Sequence, residues 1–162
     1  NFSYTGLDPY EIFLKFDDNI LWHSLITPSL SFTEGSKMQN SANQIQVFYE
    51  LNVLPGKADE LKEIASKMVS MNAAEEPGTL VYNVYLNDDE TLFTYLETYN
   101  DTETGLFHAK RFAEGEYVGQ ILERTDGGRL CFYGAVSDEF KQWAADNGFE
   151  PEYFNLVDGY VR

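Results

Sequence analysis

Between Gln44 and Val53 the chain alternates strictly. Ile45, Val47, Tyr49, Leu51 and Val53 fall on one side of an extended backbone, and Gln44, Gln46, Phe48, Glu50 and Asn52 fall on the other. A period of two suits a strand with one buried face and cannot serve a helix, whose apolar stripe recurs at three and four. Pro55-Gly56-Lys57 then breaks the strand. Leu61, Ile64, Ala65, Met68 and Met71 follow at helical spacing, which predicts an amphipathic helix of about 15 residues, closed by Pro77-Gly78. The switch from period two to period 3.6 across a short turn restricts the chain to a mixed architecture.

The remaining elements read in the same way. Thr79–Leu86 and Thr91–Tyr99 are strand-like and flank Asn87-Asp88-Asp89-Glu90, a good hairpin loop. Asn100 or Asp101 caps a second helix running to about Phe112, with Glu103 placed for a capping box if Asn100 is the cap. A short helical piece covers Glu116–Glu123 and stops at the turn Asp126-Gly127-Gly128. Arg129–Val136 returns to strand, Ser137 caps a helix with Phe140, Trp143 and Ala144 on one side, and Asn147-Gly148 ends it. Glu152–Val161 reads as a last strand. From residue 44 the order is β-α-β-β-α-(α)-β-α-β. Its first part is a split β-α-β unit: an α+β, ferredoxin-like β-α-β-β-α-β plait with an antiparallel sheet and its helices on one face. The other face then needs a partner or a ligand.

Residues 1–43 form an N-terminal extension and linker, and residues 44–162 form the main domain with an additional C-terminal helix and strand. Tyr10–Phe16 and Ile20–Ile26 suit a hairpin around Asp17-Asp18-Asn19, while Asp8-Pro9 equally suits a helix start. Thr27 to Asn43 has the Ser, Thr, Asn and Gly content of a linker. Deleting residues 1–37 is expected to leave the main domain folded.

Charge limits the partners. With 27 acidic against 11 basic side chains, the net charge of −16 argues against a nucleic-acid groove and against docking on an anionic membrane. Cys131 is the only cysteine, so no internal disulfide is possible, and the chain is expected to be cytoplasmic. No basic segment leading into an apolar run marks a signal peptide, and no apolar stretch approaches the roughly 20 residues of a membrane span. Two histidines and one cysteine make a transition-metal site improbable, Asp88-Asp89-Glu90 lacks calcium-loop spacing, and no phosphate-cradling glycine motif occurs. No cofactor is expected.

If each strand turns its more apolar set to the helices, Phe48, Glu50 and Asn52 share the opposite face with Val81, Asn83 and Tyr85. In the third strand the set Phe93, Tyr95, Glu97 and Tyr99 is expected to join them. Aromatics with a few carboxylates and carboxamides suit a cavity wall, although cross-strand aromatic pairs also stabilise an ordinary sheet or dimer interface.

Pro55-Gly56-Lys57 after the first strand, Glu76-Pro77-Gly78 before the second, Tyr95-x-Glu97-x-Tyr99-x-Asp101 on the third, and His108 in the next helix appear in an order and spacing that resembles the antibiotic biosynthesis monooxygenase family. The resemblance runs from Gln44 to Phe112. It implies a dimeric α/β barrel in which two plaits pair their bare faces and each subunit holds a pocket. Family members include cofactor-free oxygenases of phenolic polycyclic substrates, quinol oxidases, haem-degrading enzymes and an isomerase of a phosphorylated signalling sugar. Glu97 and Tyr99 match the family's Glu-x-aromatic motif, His108 its helix histidine, and Asn52 lies near a polar strand residue of some members. Trp22 and Trp143 lie outside the matched stretch, which disfavours haem degradation.

What the resemblance implies is a cofactor-independent monooxygenase acting with dioxygen on a small phenolic or quinol-type aromatic. His108 would be the base and Glu97 would orient it or take the proton, with Phe48, Glu50, Asn52, Asn83, Tyr85, Tyr95 and Tyr99 around the substrate. Two alternatives stand beside it: a non-catalytic dimeric barrel that binds a small hydrophobic ligand, and an acid–base isomerase of a small oxygenated metabolite. His23 is expected to be structural, and Cys131 a buried small side chain.

Overall fold

The computed structural model describes residues 43–160. The hairpin or helix expected between residues 8 and 26, with Trp22 and His23, lies outside the described residues. In chain order the elements are β1 (Ile45–Val53), α1 (Ala58–Glu75), β2 (Thr79–Leu86), β3 (Leu92–Tyr99), α2 (Thr102–Glu114), α3 (Glu116–Leu122), β4 (Thr125–Gly134), α4 (Asp138–Asp146) and β5 (Glu152–Phe154). The fold is the expected α+β, ferredoxin-like plait. Its sheet has the order β2-β3-β1-β4-β5 and does not close on itself. All pairings are antiparallel except β4 with β5, so the extra edge strand makes the sheet mixed.

Local chemistry explains the boundaries. Asp101, not Asn100, caps α2: its Oδ1 accepts from the backbone N–H of Thr104 at 2.8 Å and from the Thr104 hydroxyl at 2.8 Å. Ser137 caps α4 through the Phe140 N–H. The turn expected at Asp126-Gly127-Gly128 is instead the opening of β4. Gly127 and Gly128 have φ values of 67° and 157° beside a register shift against β1, and a Cβ on Gly128 would stand 2.0 Å from the Glu50 carbonyl oxygen. These glycines therefore serve a bulged strand crossing at close range. β5 is shorter than the expected Glu152–Val161, because its pairing with β4 covers only Cys131–Tyr133 before β4 ends at Gly134.

Two apolar clusters lie between the sheet and the helices. One joins Leu61, Ile64 and Met68 of α1 to Leu51, Phe93, Tyr95 and Ile121. The other joins Ile45, Val47 and Tyr99 to Leu106, Phe132 and Phe140. Each fully buried Leu, Ile or Phe among them contributes roughly 1.5–3 kcal/mol over exposure. Tyr49 packs against both clusters and marks where they meet.

The register corrects the expected facing of β3. Ile45 pairs with Tyr99, Val47 with Glu97, Tyr49 with Tyr95 and Leu51 with Phe93. Residues directly opposite across a ladder share a face, so Phe93, Tyr95, Glu97 and Tyr99 point to the helices. Phe48, Glu50 and Asn52 pair with Leu96, Thr94 and Leu92 on the bare face, where Asn83 and Tyr85 also lie. The bulkier aromatic set fills the space beneath the helices, and the Thr-containing set faces outward.

Candidate active site

The cavity lies under the helices rather than on the bare face. It is a narrow cavity of about 60 Å³, open to solvent on one side, between the strands β1–β4 and the helices α2 and α4. Among the described residues nine of its side chains are aromatic, and its titratable groups are Glu97, His108 and tyrosines, with no Lys or Arg in the wall.

Helix α2 supplies one side. From the Asp101 cap, Gly105, His108, Ala109 and Phe112 fall on one stripe facing the cavity. A Cβ on Gly105 would stand 2.4 Å from Ile45 Cδ1, so the missing side chain lets α2 come close to the sheet one turn before His108.

The His108 ring is held by a residue the sequence reading had used only as a motif marker. Glu76, the residue that ends α1, is buried. Its Oε2 lies 2.8 Å from His108 Nδ1 and accepts the Thr79 hydroxyl at 2.9 Å, while its Oε1 accepts Arg111 Nη1 at 3.0 Å. Burial alone would raise the Glu76 carboxyl; the His108 contact, Thr79 and Arg111 outweigh it and hold the pKa below its usual value. Glu76 is therefore a carboxylate, and Nδ1 of His108 is the protonated nitrogen that donates to it. Nε2 has no hydrogen bond among the described residues. Tyr82, Tyr99 and Phe112 surround the ring with centroids 5.4, 5.3 and 6.5 Å away.

Burial works against a charged imidazole, but the hydrogen bond to Glu76 and the charges of Glu97 and Glu76 outweigh it, and Arg111 opposes them only in part. The net effect raises the His108 pKa. Glu97 shows the reverse for a carboxyl: burial pushes its pKa up, and His108 and the Tyr99 hydroxyl offset this only in part. Tyr99 donates to Glu97 Oε2 at 2.6 Å. Burial and the Glu97 charge push Tyr82, Tyr95 and Tyr99 above the usual phenol value, so all three remain neutral donors at neutral pH. Two carboxyls whose environments drive them apart are what acid–base chemistry needs.

The expected site residues divide between the two faces. His108, Glu97, Tyr95 and Tyr99 come together at the cavity. Phe48, Glu50, Asn52, Asn83 and Tyr85 do not reach it. On the bare face Glu50 Oε2 accepts the Thr94 hydroxyl at 3.4 Å, Asn52 Nδ2 donates to the Asp126 carbonyl at 2.8 Å, and Asn83 Nδ2 donates to the Tyr85 hydroxyl at 3.2 Å. The residues missed are Glu76, Tyr82 and a group from the C-terminal segment, among them Trp143 and Phe149. Period-two counting had set Tyr82 on the helix side but gave no reason to expect a cavity there. Behind His108 a second hollow is bordered by Asn72, Glu76 and Arg111; Asn72 is buried and its Nδ2 has no hydrogen-bond partner among the described residues.

Among the described residues no helix is long and apolar enough to cross a membrane. No curated protein matches the chain. Among solved structures, MupZ from Pseudomonas fluorescens is similar with a TM-score of 0.62 at 19% identity, over 74% of this chain and 95% of that one. Protein SO0527 from Shewanella oneidensis is similar with a TM-score of 0.51 at 20% identity, over 57% of this chain and 90% of that one. At such identities these likenesses concern the fold. The sequence profile described as antibiotic biosynthesis monooxygenase matches residues 45–128, the stretch that carries Glu76, Glu97, Tyr99 and His108. With the plait, the cavity and this match in agreement, the chain belongs to the antibiotic biosynthesis monooxygenase family.

Proposed function

We propose that the protein is a cofactor-free monooxygenase of a small phenolic or quinol-type aromatic, bound in the cavity between sheet and helices. The observation that carries this reading is the pairing of Glu76 with Nδ1 of His108, which leaves Nε2 without a hydrogen-bond partner among the described residues in an aromatic-lined cavity. A neutral His108 takes the phenol proton at Nε2, and the imidazolium so formed is stabilised by the Glu76 carboxylate. The phenolate passes one electron to dioxygen, the two radicals join in a C–O bond, and the O–O bond breaks with loss of water. Overall a phenol and O2 give a quinone and H2O, the substrate supplying all the electrons. The neutral tyrosines and the apolar wall exclude water and donate to the substrate oxygens.

A second reading is favoured by the Tyr99–Glu97 pair. A carboxyl with a raised pKa and a histidine paired to a carboxylate, in one cavity, also suit proton transfer on a small oxygenated metabolite. Oxygen uptake over a panel of quinols, with His108→Ala and Glu97→Ala beside the parent, separates the two. Uptake in the parent that falls in His108→Ala supports the oxygenase; no uptake in the parent refutes it.

We further propose that two copies pair through the bare sheet face. Val81, Tyr85, Leu96, Tyr133 and Phe154 lie there partly exposed, the distribution expected of a covered apolar face.

A further inference from the structure

The hollow behind His108 begins with one residue of α1. Leu61, Ile64, Ala65 and Met68 form the buried stripe of that helix, and Asn72 continues it one turn after Met68. An apolar side chain would suit that place, because Asn is a poor helix former and its amide is costly to bury. Asn72 is nonetheless only 2% exposed. The Tyr82 hydroxyl stands near enough for Asn72 to favour its ionised form, yet Nδ2 has no acceptor in hydrogen-bond geometry among the described residues. A buried amide N–H left unpaired is destabilising, so its acceptor has to come from outside the chain.

The space around Asn72 is wide enough for a ligand. It measures about 220 Å³, against about 60 Å³ for the cavity on the other side of His108. An apolar cavity of about 150 Å³ in another protein takes up benzene. Met68, Met71, Phe112 and Tyr117 give the hollow a wall of thioethers and rings, a surface suited to an apolar ring. Its free polar capacity lies in donors. Besides Asn72, Arg111 gives N–H groups to Glu75 and Glu76 and has more to offer. Charge sets the last condition. Glu76 is a carboxylate, Glu116 stands at the exposed rim and Glu75 is paired with Arg111, so an anion meets three acidic side chains against one guanidinium.

We propose that this hollow is a second binding site, for a neutral one-ring molecule that carries a carbonyl group: the carbonyl oxygen accepts from Asn72 Nδ2, and the ring packs against Met68, Met71 and Phe112. His108 and Phe112 border both spaces and separate them. The site therefore stands apart from the proposed substrate cavity, and it does not depend on the oxygenase reading.

The test titrates the full chain with acetophenone, ethylbenzene and benzoate at pH 7, followed by NMR of the amide and indole N–H groups, on the parent, Asn72→Leu and Met71→Trp. In the parent, acetophenone is expected to shift the Gly115 and Tyr117 amides and to leave the Trp143 indole in place. Benzoate is expected to bind about tenfold more weakly or worse. Leu has nearly the shape of Asn without its polar atoms. Asn72→Leu is therefore expected to lower the ratio of acetophenone to ethylbenzene affinity about fivefold or more, and to melt at or above the temperature of the parent. Met71→Trp is expected to fill the hollow and abolish the binding of both. Where Met71→Trp does not fold, the ratio in Asn72→Leu still decides. No acetophenone shift at Gly115 and Tyr117 in the parent would leave water as the occupant and overturn the proposal. Equal binding of benzoate, an unchanged ratio or a lower melting temperature in Asn72→Leu overturns it too. Oxygen uptake on quinols in the same samples keeps the two readings apart: acetophenone binding as expected without uptake refutes the oxygenase and leaves this site standing.

Discussion

His108 Nδ1 lies 2.8 Å from Glu76 Oε2, joining the middle of α2 to the end of α1 across 32 residues of chain. The contact settles the tautomer of the ring and supports its charged form. It also makes Glu76 a positioning residue, because the carboxylate acts on any substrate only through the imidazole.

Glu76→Gln should therefore lower the His108 pKa. In a pH–rate profile of oxygen uptake, the acid limb reports neutral His108, so it is expected to move to lower pH in this variant while the maximal rate falls. His108→Ala should reduce the rate by about 10²–10⁴-fold, the usual range for a lost general base. An acid limb that stays in place in Glu76→Gln would separate Glu76 from the chemistry.

The same pair makes stability depend on pH in two directions. The His108 pKa is raised above its ordinary 6.5, so its contribution is fully present below that value and is lost as pH rises through the folded-state value. The Glu76 pKa is lowered below 4.5, so its contribution is present above that value and is lost as pH falls through the folded-state value. Melting temperatures are expected to fall toward both ends of the range. His108→Gln should flatten the alkaline limb. Glu76→Gln keeps an acceptor for the His108 N–H but removes the charge that strengthens its bonds to His108 and Arg111, and should cost about 1–2 kcal/mol near neutrality.

Glu97 should behave in the opposite way to Glu76. Its pKa is raised above 4.5, so the folded state loses stability as pH rises from that value to the folded-state value. Glu97→Gln keeps an acceptor for the Tyr99 hydroxyl and removes the cost of a buried charge. Thermal melts should show the variant more stable than the parent at pH 8 and equal to it at pH 4, with activity reduced. A lower melting temperature at pH 8 would contradict the burial cost.

Gly128→Ala places a methyl group 2.0 Å from the Glu50 carbonyl oxygen, which belongs to the backbone and cannot rotate away. Denaturant unfolding should show a loss of about 1–3 kcal/mol or more. Gly56→Ala, where nothing lies within 4 Å but φ is 76°, should lose less.

Leu96→Lys places a charge in the middle of the bare face, where Leu96 is 40% exposed. Sedimentation is expected to show a dimer in the parent and a monomer in the variant, with the fold intact by circular dichroism. A parent that sediments as a monomer would refute pairing through this face.

Much of the fold was legible in local pattern. The alternation of Ile45 to Val53, the helical spacing of Leu61 to Met68 and the cap at Ser137 each depend on residues within a few positions of one another, and each appears where the pattern put it. Asp126-Gly127-Gly128 misled because glycines with positive φ serve a turn and a bulged strand alike, and only the neighbouring β1 distinguishes them. β3 misled for a related reason. Its two alternating sets are both partly apolar, so hydrophobicity did not decide which set faced inward.

The sequence by itself determined the order of elements, the family, and His108, Glu97, Tyr95 and Tyr99 as candidates. The tertiary structure decided that they face the helices, that Glu76 holds His108, and that Trp143 and Phe149 complete the wall. The reason is physical: a strand's period shows which residues share a face, but the register with its neighbours assigns that face to one side of the sheet. Contacts such as Glu76 with His108, or a cavity shared by Tyr49 and Phe149, join residues far apart in the chain and exist only once the helices have packed.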